Sequence, residues 1–387
     1  MLKAYKFRMY PNKEQENILK QFIGTSRFVY NHYLYEKETL YKEKSINYDI
    51  SDMKKDLKRL QKEYEWLTSI DGSILRTSLD DLKNSYDRFF KGLSKYPNYK
   101  RKSINGSYRT PCIIGNYKGK TYQNIKIDLI RRMIKLPKIK EEIKIRGYRN
   151  KKEFPEKIYN ATISKKGNKY YVSLCVEEDI PLPIFKPRYV IGIDLGLKDI
   201  VVTSDGLKYK NEYNIKKYEK KIKGLQRWLT RCEKGSENRL KVQLKLNRVY
   251  EKLKNARRFN LHKISKKIVE ENDIIITEHL KISNMLKNHK LSKTIIDVSW
   301  NELIRQIEYK TKWKNKKFYK IDTYYPSSKL CSRCDTKNEE IKNLNIRKWT
   351  CSKCGMEHDR DINASINIMI KGIEMYMKLV MCLYIKM

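Results

Sequence analysis

Between residues 331 and 354 the chain carries two Cys-x₂-Cys pairs, Cys331/Cys334 and Cys351/Cys354, and this spacing constrains the fold more than any other feature. Sixteen residues separate the pairs, enough for two knuckles to present four thiolates to one ion as a tetrahedron. The expected occupant is one structural Zn²⁺. Four sulfurs leave no open position for water, so no catalytic role is expected of it. The other cysteines, Cys112, Cys175, Cys232 and Cys382, are scattered, unlike the dense spacing of a small disulfide scaffold. A redox dithiol is the alternative, and two matched pairs in a basic chain suit a closed metal site better. Lys329, Arg333, Arg347, Lys348 and Lys353 flank the pairs and are expected to lower the thiol pKa values.

Two apolar runs each end on a carboxylate. Tyr189-Val190-Ile191-Gly192-Ile193-Asp194 and Ile274-Ile275-Ile276-Thr277-Glu278 read as buried strands whose last side chain reaches the sheet edge from a fixed backbone. A third acid, Asp361, stands before Ile362, Ser365, Ile366 and Met369, whose helical spacing makes it the head of a helix. Singly, each acid fits a helix cap or a surface charge. Gathered in one pocket, three carboxylates repel one another unless divalent cations are bound, and hard oxygen ligands suit Mg²⁺ or Mn²⁺. Two such ions about 4 Å apart activate a water and stabilise the leaving oxygen in phosphodiester cleavage. Asp194, Glu278 and Asp361 are therefore the candidate catalytic and Mg²⁺-binding residues. His279 and His358, beside the acids, are expected to be solvated or hydrogen-bonded rather than metal ligands.

Charge points to the partner. Lys and Arg number 86 against 45 for Asp and Glu, and the formal net charge of +41 is strongly self-repelling unless a polyanion screens it. The 29 tyrosines interleaved with these cations suit stacking on unpaired bases. Nucleic acid is the expected partner, and its affinity should fall steeply with salt. The N-terminus lacks a signal-peptide apolar run, and the apolar stretch from Gly372 to Met387 is broken by Glu374, Lys378 and Lys386. A cytoplasmic protein with no membrane partner is expected, its tail a terminal helix on the core.

Alternation over residues 2–10 predicts a strand that Pro11 ends. Asn12 then fits an N-cap, with helices over 13–44, 50–64 and 73–90. Short alternating segments near Ile125, Ile134 and Ile143, and a hairpin turning at Lys166-Gly167-Asn168, predict a β-barrel into which the helices are inserted. Pro181, Pro183 and Pro187 read as a stiff linker. Beyond it come a second strand at 200–203, a turn at Asp205-Gly206, and a basic helical hairpin from Ile215 to Glu271.

Taken in order, Gly192-Ile193-Asp194-Leu195-Gly196, Glu278-His279-Leu280, Tyr325-Pro326-Ser327-Ser328-Lys329 and Asp359-Arg360-Asp361-Ile362-Asn363-Ala364 resemble TnpB, the family of transposon-encoded RNA-guided DNA endonucleases related to type V CRISPR effectors. The likeness extends to Lys6-Phe7-Arg8-Met9-Tyr10-Pro11, to the helix from Leu75 to Leu82, and to Ser107-Tyr108-Arg109-Thr110. It implies a multi-domain α+β fold: a wedge-like barrel over 1–12 and 96–182, a helical recognition domain over 13–95, a ribonuclease-H-like (RuvC) nuclease core over 183–330 and 356–387, and an inserted zinc ribbon over 331–355. It further implies that Asp194, Glu278 and Asp361 match the catalytic acids, and that the partners are a guide RNA from the transposon end and target DNA, with a monomer favoured. The RNA–DNA heteroduplex would be held by its backbone and its sequence read by base pairing. The competing expectations are a guided DNA-binding regulator that has lost cleavage, a transposase that joins strands, and a non-enzymatic zinc protein that coats nucleic acid. All three acids and all four cysteines are present, which favours the nuclease.

Overall fold

The computed structural model describes the chain except residues 118–119, 149–152, 156, 179–184, 186, 343–345 and 385–387. It divides into two units, Met1–Ile180 and Pro181–Met387. The prolines expected to stiffen the junction, Pro181 and Pro183, lie outside the described residues.

In the first unit, Phe7 and Met9 turn inward and Lys6 and Tyr10 outward, which builds β1 (Leu2–Tyr10) as the alternation predicts. Asn12 Oδ1 accepts from Gln15 N at 2.8 Å while Gln15 Oε1 accepts from Asn12 N at 3.0 Å, a reciprocal cap that starts α1 (Lys13–Lys44). Then follow α2 (Ile50–Glu63) and α3 (Gly72–Phe90), the latter burying Leu75, Leu79, Leu82 and Tyr86 at helical spacing. The strands are β2 (Gly106–Pro111), β3 (Ile114–Tyr117), β4 (Lys120–Gln123), β5 (Lys126–Asp128), β6 (Met133–Lys135), β7 (Ile143–Arg146), β8 (Ile158–Lys166) and β9 (Lys169–Glu177). Gly167, at φ +56°, takes the left-handed position of the two-residue turn between β8 and β9.

β1 lies in the middle of a seven-stranded sheet ordered β2-β8-β9-β1-β7-β6-β5. Among the described residues no ladder joins β2 to β5, so the sheet is open where a barrel was expected. Closure needs a last ladder of matching length, and β5 and β6 have only three residues each. The helical insertion after β1 is as expected, and Leu19, Phe22, Leu75 and Leu79 share one core with Val172 and Leu174 of the sheet.

The second unit begins with β10 (Val190–Asp194), β11 (Asp199–Thr203) and β12 (Lys208–Lys210), a meander turning at Gly206. The basic hairpin follows as α4 (Asn214–Arg231) and α5 (Glu237–Glu271), sealed by Ile222, Leu246, Val249 and Leu253. Next come β13 (Ile274–Glu278), α6 (Ile282–Met285), α7 (His289–Val298), α8 (Trp300–Trp313), β14 (Lys317–Ile321), β15 (Lys348–Thr350), β16 (Glu357–Asp359) and α9 (Arg360–Tyr384). Five strands form a mixed sheet ordered β12-β11-β10-β13-β14, in which β10, β13 and β14 run parallel. Alternation divides their side chains: Ile193, Val201 and Ile275 pack with α5 and α8, while Ile274, Ile276 and Ile321 pack with Ile368 and Ile373 of α9. Both faces are covered, as the three consecutive isoleucines of β13 require. No helix among the described residues is long and apolar enough to cross a membrane.

Candidate active site and metal centre

β10 and β13 are parallel neighbours with Ile193 opposite Thr277, so their next residues, Asp194 and Glu278, end side by side at one sheet edge. α9 brings the third acid. Its first turn is capped by Asp359, whose Oδ1 accepts from Asp361 N at 3.1 Å and Ile362 N at 3.2 Å, while Lys208 holds the other carboxylate oxygen at 2.6 Å. The helix lies close on the sheet because two positions lack a side chain. A Cβ on Gly192 would overlap Ser365 O and come within 2.7 Å of Met369 N, and one on Gly372 would overlap Ile276. Glycine in the Gly192-Ile193-Asp194 segment is therefore a packing requirement that seats α9 against the strand carrying the acid.

Burial raises the Asp194 carboxyl well above the usual carboxylate range, and the charges of Glu278 and Asp361 push it further. Glu278 is also raised by burial, although its hydrogen bond with Asp194 opposes this. The acids thus share one electrostatic neighbourhood. Asp361 has both oxygens within reach of Arg347 Nη1, at 3.1 and 3.0 Å. Among the described residues only the four cysteines gather with donor atoms at ligand spacing, so the three acids form a looser group than the thiols do.

The sulfurs of Cys331, Cys334, Cys351 and Cys354 all lie within 4.8 Å of one another. Cys331 to Cys354 and Cys334 to Cys351 are each 3.6 Å apart. A tetrahedron with zinc–sulfur bonds of about 2.3 Å has sulfur edges of roughly 3.8 Å, so the cluster fits structural zinc. The flanking cations are not the leading influence on these thiols. Thr336 Oγ1, 3.3 Å from Cys334 Sγ, is the main cause that lowers that thiol to about 6, with backbone N–H help, and the Cys354 N–H lowers Cys351. Burial pushes Cys331 up to about 12.

His358 was expected to be solvated or hydrogen-bonded, and it is buried against Trp349 with Nε2 3.1 Å from Cys331 Sγ. That places the imidazole as a hydrogen-bonding neighbour of one of the four clustered thiols. His358→Ala should weaken zinc binding about 10–100-fold, the usual cost of losing such a partner, as chelator competition would measure. An unchanged affinity would reduce the imidazole to packing. His279 is exposed and pairs with Thr323 Oγ1 at 3.2 Å.

Sequence reasoning passed over two amides. Asn363 donates to Leu330 O at 2.7 Å and accepts from Ser332 N at 2.9 Å, and Asn367 donates to Ser327 O and Leu330 O, each at 2.8 Å. Both are buried, and together they tie α9 to the chain entering the first cysteine knuckle. Their spacing of four residues, which puts two amides on one face of a helix, is the signal that could have found them. Arg347, read as a thiol neighbour, turns out to be the partner of Asp361.

A family model described as "Probable transposase" (OrfB, IS605 type) matches residues 173–289, and a Cas12f1-like TNB domain model matches 300–368. A helix-turn-helix model matches residues 1–45, which fold here as β1 and the single long helix α1. A "Putative RNA-guided DNA endonuclease" of Streptomyces pristinaespiralis is 32% identical over 96% of this chain and 89% of its own length. The chain belongs to the TnpB family. A second member, "Putative RNA-guided DNA endonuclease InsQ" of Escherichia coli K12, is 28% identical over 96% of this chain and 92% of its own. The family's fold extends to the Cas12f1 chain of a Cas12f1–sgRNA–target DNA complex, at a TM-score of 0.60 and 15% identity over 95% of this chain and 98% of that one.

Proposed function

We propose that the chain is a transposon-encoded RNA-guided DNA endonuclease in which Asp194, Glu278 and Asp361 hold divalent cations, Mg²⁺ or Mn²⁺. The carrying observation is a conjunction: similarity to relatives named as RNA-guided DNA endonucleases runs over nearly the whole chain, and two neighbouring parallel strands end on interacting carboxylates. Two such ions supply an activated water and stabilise the leaving oxygen. The chain's own residues supply position and charge. β10 and β13 fix Asp194 and Glu278 on rigid backbone, the capped head of α9 presents Asp361, and Arg360 offsets part of the negative charge at Asp194.

On this reading residues 1–12 and 96–182 form the wedge, 13–95 the recognition helices, 183–330 and 356–387 the RuvC-like core, and 331–355 a zinc ribbon that contacts nucleic acid. The mixed sheet with its first strand central is the layout expected of a ribonuclease-H-like core. Guide RNA and target DNA are the partners, and a net charge of +41 suits a protein that encloses both backbones.

Protein purified with its cellular RNA should cut a plasmid carrying the guide-matched target in Mg²⁺ and lose that activity after ribonuclease treatment. Cutting that persists without RNA would overturn guidance. The family model's transposase description favours a second reading, strand joining, and covalently joined rather than free ends among the products would select it.

A further inference from the structure

Register places Lys208 in line with the acids. Lys208 pairs with Val202 across β12 and β11, and Val202 pairs with Asp194 across β11 and β10. Glu278 ends the next strand one position beyond the pair of Ile193 and Thr277, as Asp194 does. Cross-strand partners turn to the same face, so Lys208, Val202, Asp194 and Glu278 form one row on the side that α9 covers. With strands about 4.8 Å apart, Lys208 stands two strands, about 10 Å, from Asp194. Its amino group holds Asp359 Oδ2 at 2.6 Å. Three elements meet at Asp359, which ends β16 opposite Lys348 of β15, caps the first turn of α9 through Oδ1, and takes Lys208 of the sheet on Oδ2. We propose that Lys208 is a positioning residue: by holding Asp359 it fixes the head of α9 where Asp361 joins Asp194 and Glu278 in binding divalent cations. The inference rests on the reading of those acids as cation ligands and adds to it a residue that is itself no ligand.

The need for such a residue follows from how α9 is seated. The close approaches of Gly192 to Ser365 and of Gly372 to Ile276 fix the body of the helix, and both lie on the C-terminal side of Asp361. Asp361 therefore overhangs the nearer contact, at Ser365, by four residues, about 6 Å of helix. Cation ligands must be held within about 0.5 Å of their productive positions, and an unpinned helix end frays beyond that. Lys208 pins the overhang at Asp359, so that Asp361 falls between two fixed points. Arg347 on Asp361, and Leu330 and Ser332 on Asn363, also hold the head, but they come from the chain of the zinc module and its entry. Lys208 instead ties Asp361 to the sheet that carries the other two acids.

An ordinary surface ion pair is the alternative, and it differs in what it would change. Lys208 and Asp359 are 32% and 28% exposed, and a pair so open to water adds little to stability. Its removal should leave the fold standing and move Asp361, which makes the geometric role separable from a structural one.

The test uses the full chain purified with its RNA and Mn²⁺ as the probe, read by calorimetry and by the Mn²⁺ dependence of cleavage. Binding that persists in Asp194→Ala is assigned to RNA and subtracted. Lys208→Met should weaken the remaining Mn²⁺ affinity about 10–100-fold, the usual cost of losing a residue that orients a ligand, and raise the half-saturation of cleavage by the same factor. Asp359→Asn should match it, since asparagine keeps the helix cap and loses the charge that Lys208 holds. The double variant should be no weaker than the weaker single one, as two halves of one contact require. Lys208→Arg, which restores a cation, should recover most of the loss, and zinc content and unfolding temperature should stay at parent values throughout. Parent Mn²⁺ affinity in Lys208→Met, or a loss confined to nucleic-acid affinity, would overturn the positioning role and leave the assignment of the acids standing. Weakened Mn²⁺ binding that comes with loss of zinc would also overturn it, by making the pair a support of the fold. Parent protein that binds no more Mn²⁺ than Asp194→Ala would remove the cation site itself and this role with it.

Discussion

Asp194→Ala should lower DNA cleavage by roughly a thousandfold or more while leaving RNA affinity near that of the parent, a larger loss than the 10–100-fold cost of removing a supporting contact at a metal site. Removing an acid from a basic chain cannot weaken binding to a polyanion through charge, so a selective loss of cleavage isolates the chemical step. Stability should move the other way. In the folded chain burial, Glu278 and Asp361 raise the Asp194 carboxyl above its unfolded value. Such a group contributes stability that is full below the ordinary carboxylate range and is lost as pH rises through the raised value. Without divalent cations, therefore, the parent should become less stable relative to Asp194→Asn as pH rises from acid toward neutral, and Mg²⁺ should narrow the difference by binding the ionised folded form. Thermal unfolding of both proteins over pH, with and without Mg²⁺, reads this directly. An alanine variant that cuts at the parent rate would remove Asp194 from the chemistry. An asparagine variant whose stability follows the parent at every pH would mean that the acids are not crowded as their geometry indicates.

What could be read before folding follows from how local each cause is. β10 and β13 are legible because burial on both faces demands runs rich in isoleucine and valine with no charge inside them, and a carboxylate after such a run has nowhere to go but the edge. The cap at Asn12, the stripe of α3 and the seam of the α4–α5 hairpin are likewise set within a few residues. The thiol cluster is legible because its ligands come from two short knuckles. The barrel expectation is not confirmed, since among the described residues no ladder closes β2 on β5, and strand count carries no information about the match of lengths that closure needs. α8 and β14 were not singled out, since the alternation of Lys317 to Ile321 is weak and its place beside β13 is set by a partner some forty residues earlier. The partners of Asn363, Asn367 and Arg347 are also nonlocal. An amide on a helix looks the same in sequence whether it meets water or a buried carbonyl. The same holds for the thiols, where a hydroxyl at Thr336 outweighs the more conspicuous lysines and arginines.

Those nonlocal contacts give Cys351→Ser a reach beyond its own module. Losing one of four thiolates should leave the protein with far less than one equivalent of zinc, because the ion in small structural sites supplies about 10–16 kcal/mol of folding free energy and a three-thiolate remainder keeps only part of it. Apart from the cysteines, the module's own core is Ile341 and Trp349 with Ile346 packed against them, too little apolar surface to hold the fold unaided. Unfolding there frees the chain at Leu330 and Ser332, the anchors of Asn363 and Asn367, and frees Arg347 from Asp361. The head of α9 then loses its supports on one side, so cleavage should fall together with zinc, although no acid has been touched. Cys232→Ser, at a thiol outside the cluster, should change neither. Metal content by mass spectrometry and protease nicking between residues 331 and 355 provide the readouts. A full equivalent of zinc in the Cys351→Ser protein would overturn the four-thiolate site. Loss of zinc with cleavage intact would instead show that α9 is held by the sheet alone, through the close approach at Gly192 and Gly372, and that the amide contacts to the knuckle are dispensable.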